Sequence, residues 1–320
     1  MHKMHKMRKL NRSTLAVALL VGAVSLMGAA GCLPGDTRPV PERLDATVEP
    51  GPGLTLGIET ADGWQIKVER FLLATGNIDF ENDDVGCTSY AEARYDRLFD
   101  FAVVTDRQKL GTAYGLGTCR VEFRLRAPSF DALLGPGATP ADVAFMRLRA
   151  SDRFAENERV SLLAKGSATR GTEVKRFEWV FRQSFEMTDC KAEGGGFMTT
   201  VKLTEGASSE LRIEVRPEEL FRALADDSAE LRFQPVVDAD ADADGAVTLE
   251  ELSKVMPPVV DTGEHGPGGG SPDAGDAGSP DAGADAPESL EALVYEDLLP
   301  RVLRVAGGGS CEVEDRSGGR

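Results

Sequence analysis

Across 320 residues the chain carries 53 acidic against 36 basic side chains, a formal net charge of -17, with three histidines and five cysteines. So acidic a surface excludes nucleic acid as a partner, because phosphate contacts need clustered Lys and Arg, and it is compatible with divalent cations.

The first 31 residues fall into a basic stretch (Lys3, Lys6, Arg8, Lys9, Arg12), an apolar run from Leu15 to Met27, and the small residues Gly28-Ala29-Ala30-Gly31. This is the plan of an export signal. The run is shorter than the roughly 20 residues that span a bilayer, and it ends where a true span would continue. No later stretch is apolar enough to span. The junction Ala29-Ala30-Gly31-Cys32 resembles the lipobox of bacterial lipoproteins, with Ala29 where that family usually has Leu. The resemblance implies cleavage before Cys32, a diacylglyceryl group on its thiol, and acyl chains such as palmitate that hold the mature chain on a membrane. Leu33 follows the cysteine where some inner-membrane lipoproteins have Asp, so the outer membrane of the cell envelope is the implied address. Loss of the signal leaves 31 basic against 53 acidic side chains, a net charge of -22.

Setting Cys32 aside leaves Cys87, Cys119, Cys190 and Cys311. An even remainder in an exported chain suggests two disulfides, with three connectivities open. Cys87–Cys119 and Cys190–Cys311 are preferred: the first pair shares one local segment, and the second ties down the carboxyl terminus.

Residues 32–53, rich in Pro, Gly and Asp, read as a tether. From Leu54 to Val215 the dominant period is two. Trp64, Ile66 and Val68 alternate with polar neighbours, as do Val121, Phe123 and Leu125, then Phe177, Trp179 and Phe181, then Leu211, Ile213 and Val215. The prediction is a mainly β domain over 54–260, an antiparallel, sandwich-like body with a few short helices. Thr169-Arg170-Gly171-Thr172 reads as a hairpin turn, and the Phe177/Trp179/Phe181 stripe as core. Thr139-Pro140 opens a helix to about Arg149, and Pro217 opens another over 218–225. Residues 261–287 change to Gly, Pro, Asp, Ala and Ser, with Ser271-Pro272-Asp273-Ala274-Gly275 nearly repeated at Ser279–Gly283. Such a stretch buries too little apolar surface to offset its ordering entropy and reads as a disordered insertion. Leu290, Leu293, Val294, Leu298 and Leu299 then recur at helical spacing, so 288–320 is expected to return to the domain.

The segment Asp240-Ala-Asp242-Ala-Asp244-Gly245-Ala246-Val247-Thr248-Leu249-Glu250-Glu251 resembles the twelve-residue EF-hand loop. Alternate carboxylates on a curled loop suit a hard cation that takes six to eight oxygens. The resemblance implies a calcium ion held by Asp240, Asp242, Asp244, the carbonyl of Ala246, Thr248 through its hydroxyl or a water, and a bidentate Glu251. Gly245 permits the turn, and Val247 packs inward. A frame starting at Asp238 would put Leu249 at the twelfth position and fails. No second loop of this kind is present, and Pro235 shortens the segment before the first ligand. The likeness is therefore to the single calcium loops of dockerins and other bacterial extracellular proteins, which commonly stabilise structure.

His2 and His5 leave with the signal, and a lone His265 in the insertion builds neither a catalytic triad nor a multi-histidine zinc site. The chain is expected not to be an enzyme. The first functional reading is a membrane-anchored envelope lipoprotein that binds one calcium ion as a structural or interaction module, with an envelope protein as candidate partner. A periplasmic or surface receptor for a small ligand such as a sugar or metal is the second reading, and an unrecognised hydrolase the third.

Overall fold

The computed structural model describes residues 42–81, 87–88, 95–115, 117–149, 159–189, 201–203, 208–258, 287–307 and 311–316. The expected signal sequence, Cys32, Cys190 and nearly all of the 261–287 insertion lie outside these residues. The described residues from 42 onward belong to one compact unit that is mainly β.

Its longer strands are β1 (Glu42–Pro50), β2 (Gln65–Gly76), β3 (Asp96–Asp100), β4 (Gln108–Gly115), β5 (Gly117–Leu125), β6 (Leu162–Arg170), β7 (Glu173–Phe181), β8 (Phe185–Thr188) and β9 (Ser208–Val215). Three short ones complete the set used below: β10 (Ala246–Val247), β11 (Leu303–Val305) and β12 (Glu312–Asp315). Among the described residues they form three sheets. The first runs β11-β9-β1-β4 and ends on Cys87–Thr88. The second runs β10-β7-β6-β2-β3 and ends on Leu133–Leu134, with Ile58–Glu59 added to β2. The third joins Val201–Leu203, β5, β8 and β12, with Asp79–Glu81 on β5.

Most pairings are antiparallel, as the alternating pattern predicts. β1 with β9, β3 with Leu133–Leu134, and β7 with β10 are parallel, so the first two sheets are mixed. From residue 42 on, the tether expected over 32–53 gives way to ordered structure. Glu42–Pro50 is an inner strand, bonded on one side to β9 and on the other to β4, with Leu44, Ala46 and Val48 at most 1% exposed. Its signal is the alternation of those three with Arg43, Asp45, Thr47 and Glu49, which the surrounding Pro and Gly obscured.

The inner faces of the first two sheets meet in one core. Leu44, Val48, Leu211, Ile213 and Val215 from the first pack in the same cluster as Ile66, Phe71, Leu162, Phe177, Trp179 and Phe181 from the second. The aromatic stripe of β7 is thus core, with tilted and edge-on contacts to Phe221 and Phe233. β2 and β6 also bury their other face. Leu72, Ala74, Leu98 and Leu163 pack with Met146 of helix α1 (Pro140–Met146), which explains the unbroken apolar run Phe71–Ala74. Thr139 caps α1 in a reciprocal box with Asp142, and Pro140 starts it. The helix ends before the predicted Arg149, leaving Leu148 61% exposed. The expected helix after Pro217 is a single 3₁₀ turn, Pro217–Phe221. The β6–β7 hairpin turns at Gly171, whose φ of +61° lies in the left-handed region.

Beyond the insertion the chain rejoins this body. Leu290, Leu293, Val294, Leu298 and Leu299 are at most 4% exposed and belong to the main core, and the Leu290 N–H donates to Val255 O at 2.8 Å or less (2.7 Å). Charge fastens the same junction. Fully buried Glu219 accepts from Arg222, while Arg301 and Arg304 of the returning segment pair with both Glu219 and Asp227.

Candidate metal centre

The loop is held between two short helices. Helix α2 (Gln234–Asp238) leads in with Pro235 in its first turn, and its start is fixed by Asp62, whose Oδ2 accepts from the N–H groups of Phe233 (2.9 Å) and Gln234 (2.7 Å). At five residues it agrees with the shortening expected from Pro235. Helix α3 (Leu249–Leu252) leads out, capped by Thr248. Between them β10 adds to the edge of β7, with Arg176 opposite Ala246 and Phe177 opposite Val247. The Trp179 indole donates to the Val247 carbonyl at 3.0 Å, and Val247 is 1% exposed, so the eighth loop position is anchored in the core.

This anchoring curls the aspartates together. One carboxylate oxygen each from Asp240, Asp242 and Asp244 lies within 4.8 Å of the others. The curl is local chemistry. The Asp244 N–H donates to Asp242 Oδ1 (3.1 Å), the Ala246 N–H to Asp244 Oδ1 (2.7 Å), and the Gly245 N–H to Asp240 Oδ2 (3.1 Å). Gly245 takes φ +80°, and Ala243 takes +59°, a conformation that costs a residue bearing a Cβ.

Asp240 differs from its two companions. Its side chain is 1% exposed, whereas Asp242 and Asp244 face solvent. Its Oδ2 meets Lys175 Nζ of β7 at 2.6 Å, but its Oδ1 is buried with no hydrogen-bond partner. The hydrogen bond from the Lys175 ammonium holds the Asp240 carboxyl below its usual range, and the same contact raises Lys175. A buried carboxylate oxygen that accepts no hydrogen bond costs about 1–3 kcal/mol, even when the other oxygen of the group is paired. A cation among the three carboxylates would remove that cost, so the residues fit a hard divalent ion.

Glu251 does not join this group. Its Oε2 accepts from the Thr248 N–H (2.8 Å) and Thr248 Oγ1 (2.9 Å), closing the capping box of α3. Thr248 is likewise occupied by that box, and the Ala246 backbone lies in β10. Sequence reasoning overlooked Asp62 and Lys175. Lys175 had a signal: it continues the inward-facing positions 177, 179 and 181 of β7, where a lysine requires a buried anion.

Cys87 lies in the short edge strand of the first sheet and Cys119 in β5. Cys311, half-buried against the main core, is disulfide-bonded. No helix among the described residues is long and apolar enough to cross a membrane. Comparison with family models, with curated proteins and with solved structures finds no match.

Proposed function

We propose that the chain is a lipid-anchored envelope protein whose loop at 240–251 binds one calcium ion as a structural clamp. The observation that carries the calcium reading is Asp240, whose Oδ1 is buried without a hydrogen-bond partner and whose carboxylate converges with those of Asp242 and Asp244 to within 4.8 Å. Asp240, Asp242 and Asp244 would hold the ion, with the Ala246 carbonyl, Thr248 and Glu251 as the remaining ligands that the EF-hand resemblance implies. The ion supplies positive charge where three carboxylates converge. A structural role is supported by what the loop holds: α2 on one side, α3 on the other, and β10 against β7, all reaching the main core. The membrane anchor rests on the Ala29-Ala30-Gly31-Cys32 junction.

Calcium binding to the native loop but not to the unfolded chain adds RT ln(1 + [L]/Kd), about 2.7 kcal/mol at a hundredfold excess over Kd. Melting curves of the full-length protein with and without millimolar calcium test this. A raised Tm that is lost in Asp240→Asn, with no gain in binding of a hydrophobic dye, supports the clamp. An unchanged Tm rejects the site, and dye binding that rises with calcium rejects the structural role. Fatty-acid labelling that persisted in Cys32→Ser would reject the anchor.

The small-ligand receptor is the second reading. It is favoured by a groove of about 550 Å³ between β8, β12 and the segment 296–304. Gln183 Oε1 and Arg304 Nε line it and are buried without hydrogen-bond partners. A panel of sugars that left the Tm unmoved would set this reading aside.

A further inference from the structure

On β7 the odd-numbered positions from 177 onward face the core: Phe177, Trp179 and Phe181 are buried, while the even-numbered Arg176 and Glu178 are exposed. Lys175 lies on that same inward face, one step beyond Phe177, and its side chain is 15% exposed. A cation so placed needs an anion, because burying an unpaired charge is more costly than burying a neutral group. Its anion is the first carboxylate of the loop, at 2.6 Å. The two oxygens of Asp240 thereby divide their work. Oδ2 receives Lys175 and the Gly245 N–H, and Oδ1 is buried with no hydrogen-bond partner.

We propose that Lys175 is a tethered resident cation of the loop, which holds Asp240 in place when no metal is bound and keeps the calcium affinity weak. The inference rests on the calcium reading given above. Two physical consequences connect the geometry to that role. First, three carboxylates drawn within 4.8 Å of one another repel, and one ammonium on the most buried of them offsets part of that repulsion. That offset favours the curl of the loop, which includes the left-handed Ala243 and Gly245. Second, an ion bound to Asp240 Oδ1 shares a carboxylate with the ammonium on Oδ2. The two positive charges then sit on opposite oxygens of one group, in a partly desolvated setting where like charges repel more than in water. Calcium must bind against this repulsion or displace the lysine toward solvent. Either way affinity is lost, and the site suits a compartment where calcium is abundant.

Calorimetric titration of calcium chloride into full-length protein, as wild type, Lys175→Met and Lys175→Arg, tests this. Methionine keeps most of the alkyl stem and removes the charge, whereas arginine keeps the charge. Lys175→Met should bind calcium roughly tenfold more tightly or better, and Lys175→Arg should stay within about threefold of wild type. The metal-free Lys175→Met protein should melt below wild type and gain more in Tm on adding calcium. Equal or weaker binding by Lys175→Met, with wild type binding, would overturn the role of Lys175 and leave the calcium site standing. No binding by any of the three proteins would overturn the calcium reading and this inference with it. If Lys175→Met is unfolded without metal, recovery of its fold by calcium supports the proposal, and failure to recover at 10 mM or more counts against it.

Discussion

Replacing Glu219 by Gln probes the junction that closes the chain after the insertion. Glu219 is fully buried, with Oε2 at 2.6 Å from Arg222 Nε, 3.3 Å from Arg301 Nε and 3.5 Å from Arg304 Nη2. Glutamine preserves the shape but leaves Arg301 and Arg304 with the Asp227 carboxylate and Arg222 with the carbonyls of Asp227 and Ala229, and it turns an amide donor toward donors. Removing one member of a buried ion network costs about 3–5 kcal/mol. Two of these three contacts are longer than an ordinary charged hydrogen bond, so the lower end, about 3 kcal/mol, is expected. For a domain of this size that is a fall in Tm of roughly 6–12 °C. The loss should depend on pH. Burial pushes the Glu219 carboxyl up, but the Arg222 hydrogen bond and the charges of Arg304, Arg222 and Arg301 outweigh it, and its pKa falls below 4.5. A group depressed on folding contributes its stability above the unfolded value and loses it as pH falls through the folded value. Wild type and Glu219→Gln should therefore differ fully at neutral pH and converge in acid. Urea denaturation followed by circular dichroism at pH 7 and in acid measures both. A difference under about 1 kcal/mol at pH 7 would refute the view that this carboxylate fastens the returning segment.

Three other outcomes follow from the same structure. Glu218 is largely buried, with Oε2 unpartnered, and burial raises its carboxyl above the ordinary 4.5, so its ionisation weakens the fold as pH rises from 4.5 through the folded value. Glu218→Gln should be more stable than wild type at pH 7 and no different below pH 4, which thermal melts across that range would reveal. Gly166→Ala should cost about 1–3 kcal/mol, because its Cβ would lie 2.4 Å from Lys67 O and 2.6 Å from Phe177 Cζ; an unaltered urea midpoint would contradict that crowding. Peptide mapping of the unreduced protein should find two intramolecular bridges among Cys87, Cys119, Cys190 and Cys311, whose loss typically costs about 2–5 kcal/mol each. A free thiol at any of the four would disprove the pairing scheme.

The sequence by itself determined what depends on neighbours along the chain. Period-two alternation placed Trp64, Phe177, Trp179, Phe181, Ile213 and Val215 in a β core, and all six are at most 2% exposed. Thr139-Pro140 marked a helix start because capping and a preset φ act within one turn. Asp240, Asp242 and Asp244 were legible as a cluster because Asx-type bonds and Gly245 curl the loop locally. What the tertiary structure alone decided are the matters of partnership across long separations. Alternation cannot say whether neighbouring strands run parallel, so β1 beside β9 and β10 beside β7 were not foreseen. Composition placed 42–50 in a tether, but burial between β9 and β4 makes it an inner strand. Asymmetry among the three aspartates, one buried and two exposed, comes from Lys175 sixty-five residues away in the chain. A one-dimensional pattern identifies which side chains must be buried or paired. Only packing decides which distant charge or strand satisfies them, because that choice is set by the shape of the whole core.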